Sequence, residues 1–351
     1  MRGDTVAVAV LGASGYGGGE LVRLLATHPT LDVSVVAAHS STGRPLAAAH
    51  PHLAELPQGD MTLEPIEPVS IAERVDLVFS ALPNGASSTV APALLAGGAL
   101  VVDLAGDFRL PAEDYPAWYG FEHPAPDWLD EAVYGLPELF GGAVAGAKLV
   151  ASPGCFPTPA ILGLGPLLAA GLLEPGAIRV DGKTGVSGAG RAAVEATSFA
   201  ATDGSIRPYR APGHQHTPEI ERALARVWGH DVRVLFVPHL VPTVRGVVVT
   251  AYAPLATGAD AEALTSCLAA AYAGQPFVRV LPAGEMVDAK RTRGTNVVEL
   301  QAFADPRTGT AVVVGALDNL IKGAAGQAIQ NANLLLGLPQ ETGLPVTAVL
   351  P

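Results

Sequence analysis

The chain has 351 residues, 49% hydrophobic and only 15% charged, so it holds enough apolar material for about two buried cores and does not read as disordered. A formal net charge of −12 with no run of Lys or Arg argues against nucleic acid as a partner. No stretch of about 18 apolar residues escapes Gly or Pro, so no membrane span is expected, and two cysteines far apart in a chain without an export signal point to reduced thiols in the cytoplasm.

Thr5 to Leu11 reads as a buried strand, too short for a secretory signal, and leads straight into Gly12-Ala13-Ser14-Gly15-Tyr16-Gly17-Gly18-Gly19. A helical pattern follows from Glu20 to Thr27, with Leu21, Leu24 and Leu25 on one face. Strand, glycine turn and helix together make a nucleotide site: glycines let the backbone approach a pyrophosphate, and the helix start attracts its charge. The spacing G-x-x-G-x-x-G at Gly12, Gly15 and Gly18 departs from the usual G-x-G-x-x-G, so the context carries the assignment.

The next strand, Asp32 to about Ala38, ends in His39-Ser40-Ser41-Thr42-Gly43-Arg44, where an NAD site wants an acid. Hydroxyls and an arginine suit a 2′-phosphate, so NADP is expected, with a plain solvated loop as the alternative. His50 and His52 flank Pro51 without a cysteine or carboxylate cluster at ligand spacing, which reads as an ordinary loop rather than a metal site. Strands at Val75 to Ser80 and Leu100 to Leu104, with a helix from Ser87 to Leu95 between them, continue a parallel sheet whose carboxyl ends take the ligand. That edge carries Asn84 and Gly106-Asp107-Phe108-Arg109-Leu110. Arg109 can grip an anion in two places, or the Asp107/Arg109 pair simply braces the loop.

The second half opens on Ser152-Pro153-Gly154-Cys155-Phe156-Pro157-Thr158. Thr158 is a candidate N-cap and Pro159 a first helical residue before an apolar run. A thiol at a helix start is biased toward the nucleophilic thiolate, which makes Cys155 a candidate covalent catalyst; the alternative is a buried small hydrophobe. A strand from Ala177 to Thr184 leads into a glycine-rich loop, Gly185 to Arg191. The segment Tyr209-Arg210-Ala211-Pro212-Gly213-His214-Gln215-His216-Thr217-Pro218 then ends at a helix for which Thr217 and Pro218 supply cap and first turn. A cysteine at one helix start and a histidine before another are the minimum kit for acyl transfer through a thioester. Further strands run at Val232 to Val237, Gly246 to Tyr252, Asn296 to Ala302 and Thr310 to Gly315, and Cys267 is expected in the core of a helix from Ala261 to Tyr272. Arg245 is another candidate anion contact, with surface charge as the alternative, and the tail from Asp318 reads as one long helix stopped at Gly337 and Pro339.

With these residues in place, the sequence resembles the N-acetyl-γ-glutamyl-phosphate reductase family across essentially its whole length. The most specific pieces are the Cys155 stretch and Gly213-His214-Gln215-His216-Thr217-Pro218-Glu219-Ile220; His50-Pro51-His52-Leu53, Asp107-Phe108-Arg109-Leu110 and Asp318-Asn319-Leu320-Ile321-Lys322-Gly323 also match. Phe156 stands where the family often has tyrosine. The resemblance implies an α/β chain: a Rossmann-type NADP-binding domain of residues 1–151 and 319–351, and an α+β catalytic and dimerisation domain with a large mixed sheet over 152–318. It implies NADPH-dependent reduction of a small acyl phosphate to an aldehyde, with Cys155 as nucleophile and His216 as acid/base. The cofactor is then expected at Gly12, Ser14, Gly15, Tyr16, Gly17, Ser40, Ser41, Arg44 and Pro83, with Asn319 and Gly323 at the nicotinamide end. Arg109, Tyr209, His214 and Arg245 are the implied substrate contacts, and a homodimer or homotetramer the implied assembly. A sister reductase acting on aspartyl phosphate or an aminoadipyl derivative, and a non-catalytic NADP-binding sensor, are the alternatives.

Overall fold

The structure, a computed structural model, describes residues 5–349. Contacts divide the chain into two units, one running to Pro153 and including Ala324–Leu344, the other spanning Gly154–Gly323 with the end of the chain from Pro345. Among the described residues no helix is long and apolar enough to cross a membrane.

The first unit is built on six strands: β1 (Val6–Leu11), β2 (Leu31–Ala37), β3 (Leu77–Ser80), β4 (Leu100–Asp103), β5 (Ala132–Tyr134) and β6 (Leu149–Ala151). They lie in the order β2-β1-β3-β4-β6-β5, and every pairing is parallel. Strands covered on both faces need apolar residues at every position, which is why Val8 to Leu11 and Leu77 to Phe79 are buried without alternation. Helices α1 (Tyr16–Leu25), α2 (Ser87–Ala96) and α3 (Pro137–Val144) belong to the same unit. The order reverses between β1 and β3, so their carboxyl ends, at Leu11 and Ser80, open the crevice where such sheets take ligands.

The second unit carries a seven-stranded mixed sheet: β7 (Ile178–Thr184), β8 (Arg207–Pro208), β9 (Val234–Leu240), β10 (Val247–Pro254), β11 (Val278–Val280), β12 (Val298–Asp305) and β13 (Thr310–Leu317), ordered β11-β12-β13-β10-β7-β9-β8. One face is covered by α4 (Pro157–Ala169), buried from Pro157 to Leu168, as a helix apolar all round must be. Two glycines let it lie close: a Cβ on Gly163 would meet Val313, and one on Gly315 would meet Pro159. Pro166 inside α4 lacks the N–H that would donate to the Leu162 carbonyl four residues earlier, and the Tyr272 hydroxyl donates there instead at 2.6 Å. The other sheet face alternates, leaving Leu235 49% and Tyr252 37% exposed beside half-buried Val248, Val312 and Val314. Helices α5 (His216–Trp228) and α6 (Ala261–Ala271) complete the unit.

Several expectations shift. Helix α4 begins at Pro157, not after a Thr158 cap, because the Thr158 hydroxyl donates to the Gly154 carbonyl at 3.0 Å rather than accepting from the helix. Likewise α5 starts at His216, ahead of Thr217. Cys267 is half-buried at the core's edge, its Sγ 3.6 Å from the Pro166 carbonyl, while Leu264 and Leu268 fill the interior. The tail does not enter its helix at Asp318: a π-helical turn, Ile321–Ala325, comes first, and α7 (Gly326–Leu335) follows. The Asp318 carboxylate, accepting from the N–H groups of Leu320, Ile321 and Gly294, holds the start of that turn.

Helix α7 belongs to the first unit and binds it with buried amides. Asn331 Nδ2 donates to the Gly135 carbonyl and Gln330 Nε2 to Glu138. Past Gly337 the chain is fastened by His28, whose Nδ1 accepts from the N–H groups of Thr30 and Leu31. Its other nitrogen therefore carries the hydrogen and donates to Asn333 Oδ1 at 3.0 Å, while Asn333 Nδ2 donates to the carbonyls of Gln340 and Thr342. Burial pushes the His28 pKa below its usual value, against the pull of its hydrogen bonds.

A His held neutral in the fold but free to charge when unfolded supports stability fully above about pH 6.5 and less below it. His28→Gln should therefore be less stable than wild type by about 1–3 kcal/mol at pH 8. The gap should narrow as pH falls below 6.5, read by urea denaturation of both proteins at pH 8 and 5.5; a gap that stays constant contradicts the neutral clamp.

Candidate active site

In the first unit the glycine turn joins β1 to α1. Gly12 adopts a φ of +76°, open to glycine, and a Cβ there would overlap the Ala81 carbonyl; one on Gly18 would overlap the carbonyl of Gly12. The N–H groups of Gly12 and Ala13 both donate to the Ala37 carbonyl, at 2.9 and 3.0 Å, and that of Gly15 to Gly12. The turn is thus closed on itself, with Ser14, Gly15 and Gly17 half-buried and Tyr16 exposed at its rim. Beyond β2, Ser40 and Arg44 are exposed and Ser41 half-buried, and no carboxylate stands in residues 38 to 44. The Thr42 hydroxyl turns back to the Ala38 carbonyl. This donor set fits a phosphorylated ribose better than a bare diol. Pro83 is exposed after β3, and Asn84 Oδ1 accepts from Gly106 N–H at 2.9 Å.

The loop bearing Arg109 is fixed by several hydrogen bonds to backbone. Asp107 accepts from the N–H groups of Gly85 and Ser88, both at 2.8 Å, and so caps α2. Arg109 Nη2 donates to the Leu104 carbonyl. The buried Tyr115 hydroxyl gathers the loop, lying 2.5 Å from the Asp107 carbonyl and 3.2 Å from Arg109 N.

The thiol lies in the second unit. Cys155 is half-buried two residues before α4, and its neighbour Gly154 is buried. Gly154 N–H donates to Glu219 Oε1 at 2.8 Å, and a Cβ on Gly154 would sit 2.5 Å from His216 Nε2. The imidazole therefore lies against the bare backbone adjoining the cysteine. His216 and Glu219 are one turn apart on α5, so one helix face presents both. Glu219 is 1% exposed.

Around them the rings close in. His214 and His216 have centroids 4.7 Å apart, Tyr209 lies 5.5 Å from His214, and Phe156 touches both histidines and Phe236. His214 Nδ1 accepts from the His216 N–H at 3.1 Å. Burial first, and then the charges of His216 and Arg210, push the His214 pKa down to about 2, so its imidazole is neutral with Nε2–H as its donor. Burial, followed by the charge of Cys155, pushes the Tyr209 phenol up. Gly323, in the π-turn, presses on the cysteine: a Cβ there would lie 2.7 Å from Cys155 Cβ.

The expected site residues thus fall into distinct groups. Cys155, His216, His214 and Tyr209 come together. Arg245 forms an ion pair with buried Asp318 at 3.3 Å rather than standing as a surface charge. Asn319 uses both ends of its amide internally, accepting from Gly246 N–H and donating to the Ser187 hydroxyl, and so ties two loops of the second unit. Glu219 is not singled out by the sequence reading; its spacing three residues after His216 was the available signal. No group of three or more metal-ligating side chains occurs among the described residues.

Comparison with known proteins identifies the family. The family described as semialdehyde dehydrogenase, NAD binding domain, matches residues 7–147, and semialdehyde dehydrogenase, dimerisation domain, matches residues 155–319. N-acetyl-gamma-glutamyl-phosphate reductase of Symbiobacterium thermophilum is 46% identical over 342 residues, 97% of each chain, and that of Thermus thermophilus 48% identical over 356 residues, 98% of this chain and 100% of its own. Among solved structures, aspartate semialdehyde dehydrogenase II from Vibrio cholerae aligns with a TM-score of 0.74 at 18% identity, covering 95% of this chain and 99% of its own, which speaks to the fold alone. The chain belongs to the N-acetyl-gamma-glutamyl-phosphate reductase family, with a semialdehyde dehydrogenase NAD binding domain followed by a dimerisation domain.

Proposed function

We propose that the protein catalyses NADPH-dependent reduction of N-acetyl-γ-glutamyl phosphate to N-acetylglutamate 5-semialdehyde with release of phosphate. The observation that carries this reading is the half-buried Cys155 next to a backbone glycine on which the His216 imidazole rests. Family membership at this identity supports the substrate. Cys155 is assigned as nucleophile: its sulfur attacks the γ-acyl carbon, the carbon–oxygen bond to phosphate breaks with its electron pair on phosphate, and a thioester remains. His216 takes the thiol proton as attack begins and returns it when the carbon–sulfur bond breaks and the aldehyde leaves. The glycine turn would hold NADPH, which when bound would supply the hydride that reduces the acyl group.

Gly12, Ser14, Gly15, Tyr16 and Gly17 would hold the pyrophosphate, Ser40, Ser41 and Arg44 the 2′-phosphate, and Pro83 would flank the cofactor. Tyr209 and the Nε2–H of His214 are assigned to the substrate's polar groups, and Arg109 and Arg245 to its anionic ones. We assign Gly323 to the fit of the π-turn against the sulfur and Asn319 to holding the loops behind it. Reduced thiols and NADPH consumption suit the cytoplasm.

A homodimer through the outer face of the mixed sheet follows from the same family assignment, since that face offers Leu235, Tyr252, Val312 and Val314 in one alternating register. A tetramer would be two such dimers.

Cys155→Ser should abolish turnover while NADPH still binds in calorimetric titration; substantial residual turnover excludes the covalent route. His216→Ala should slow turnover about a hundredfold or more, and a change confined to KM would reassign it to binding. Leu235→Glu should shift the protein from dimer to monomer in sedimentation velocity, whereas a dimer of undiminished strength would move the interface elsewhere.

A further inference from the structure

We propose that His50 is a positioning residue for the dinucleotide: through the Ala13 carbonyl it sets the conformation of the glycine turn and couples that turn to the arm bearing Ser40, Ser41 and Arg44. This rests on the reading of the turn as the NADP site.

The arm leaves β2 and is stitched to itself. Ala38 N–H donates to Glu64, Gly43 N–H to Leu63, Leu63 N–H to Arg44, and Leu46 N–H to Met61. His50 ends the short helix Leu46–Ala49 within this arm, and its own N–H donates to Leu46. The side chain is 4% exposed, with Nε2 2.9 Å from the Ala13 carbonyl oxygen. A carbonyl only accepts, so Nε2 carries the hydrogen and donates.

That bond has a directional consequence. In a trans peptide the carbonyl of one residue and the N–H of the next point in opposite directions, so anchoring the Ala13 carbonyl on the imidazole aims the Ser14 N–H away from it. The N–H groups of Gly12, Ala13 and Gly15 are taken up by the carbonyls of Ala37 and Gly12. His50 thus anchors the carbonyl end of the peptide between Ala13 and Ser14.

Gly19 gives independent support. It lies inside α1, where glycine is less favourable than alanine by about 1 kcal/mol. A Cβ there would stand 2.6 Å from His50 Nε2, so the imidazole occupies the space a side chain would fill. His52 closes the other side, its ring edge-on to His50 with centroids 5.7 Å apart. The helix forgoes a better residue to seat this ring, which is hard to account for if His50 were only filling space in an ordinary loop.

The test is calorimetric titration of NADPH into the full chain, comparing wild type with His50→Leu, His50→Gln and Gly19→Ala. His50→Leu should raise Kd about tenfold, the scale of one buried carbonyl left without its donor. His50→Gln, whose amide can donate to the same carbonyl, should stay within about threefold of wild type. Gly19→Ala favours the helix yet displaces the ring, and should weaken NADPH binding as His50→Leu does. In steady state the loss should fall on KM for NADPH and not on KM for the acyl phosphate, a split that general destabilisation would not produce. Wild-type affinity in His50→Leu overturns the inference, and Gly19→Ala alone decides if His50→Leu does not fold. Failure of the wild type itself to bind NADPH overturns the nucleotide-site reading, and this inference with it.

Discussion

A buried peptide without a side chain, Gly154, is the point on which the thiol site hangs. Its N–H is directed at the Glu219 carboxylate and its Cα is overlaid by the His216 ring. A hydrogen bond to an ionised acceptor is roughly twice as strong as a neutral one, and in a buried setting a carboxylate left without donors would be strongly destabilising. The bond gives Gly154 N–H its acceptor and Glu219 Oε1 a donor. Because Glu219 and His216 share a face of α5, fastening the helix at the carboxylate also fixes the imidazole. One contact sets the cysteine's neighbouring peptide and the His216 imidazole together.

The same device of bare backbone at a crowded contact recurs around the site. Gly182 on β7 receives the Phe156 ring, where a Cβ would stand 2.5 Å from Cε1, and Gly323 receives Cys155. Phe156 in turn lies between the histidines and Phe236. The sheet, α4 and the π-turn thus approach the cysteine to distances that any larger residue would forbid. π-turns occur often at functional sites, and here the widened turn brings Gly323 onto the sulfur-bearing residue while Asp318 satisfies the N–H groups that precede it.

Much of this was legible in the chain. Uninterrupted apolar strands announced a covered parallel sheet, and the strands of the second half were found where the apolar runs placed them, with alternating burial in β7 and β10. What escaped was set by partners that the local pattern does not name. Thr158 and Thr217 look like caps in isolation, but the Thr158 hydroxyl finds the Gly154 carbonyl, and prolines tolerated at the first turn let each helix begin earlier. Asp107 and Arg109 are neighbours in the chain and look like a pair, but the sequence alone does not reveal the backbone groups each meets: for Asp107 two N–H groups at the start of α2, for Arg109 the Leu104 carbonyl. Asp318 reads as a residue inside a helix until Arg245 and Gly294, far from it in sequence, are seen to hold it. Local propensity was overridden where a polar group found a backbone or long-range partner in the fold.

The two histidines, separated by one residue, illustrate how such partners divide labour. His214 accepts the His216 N–H at Nδ1 and is buried, so a second hydrogen on its ring would require breaking that bond as well as desolvating a charge. With its pKa pushed down to about 2, and with the charge of His216 among the causes, His214 remains a neutral donor at any working pH. In the reaction proposed above, a proton leaving the cysteine would then have His216, rather than His214, to receive it. Since the His214 bond runs to the backbone of His216, the neutral ring also sets the start of α5, on whose first turn His216 and Glu219 are carried. The environment that makes one imidazole unreactive thereby orients the other, and the separation of roles arises from a single N–H that only a neutral ring can accept.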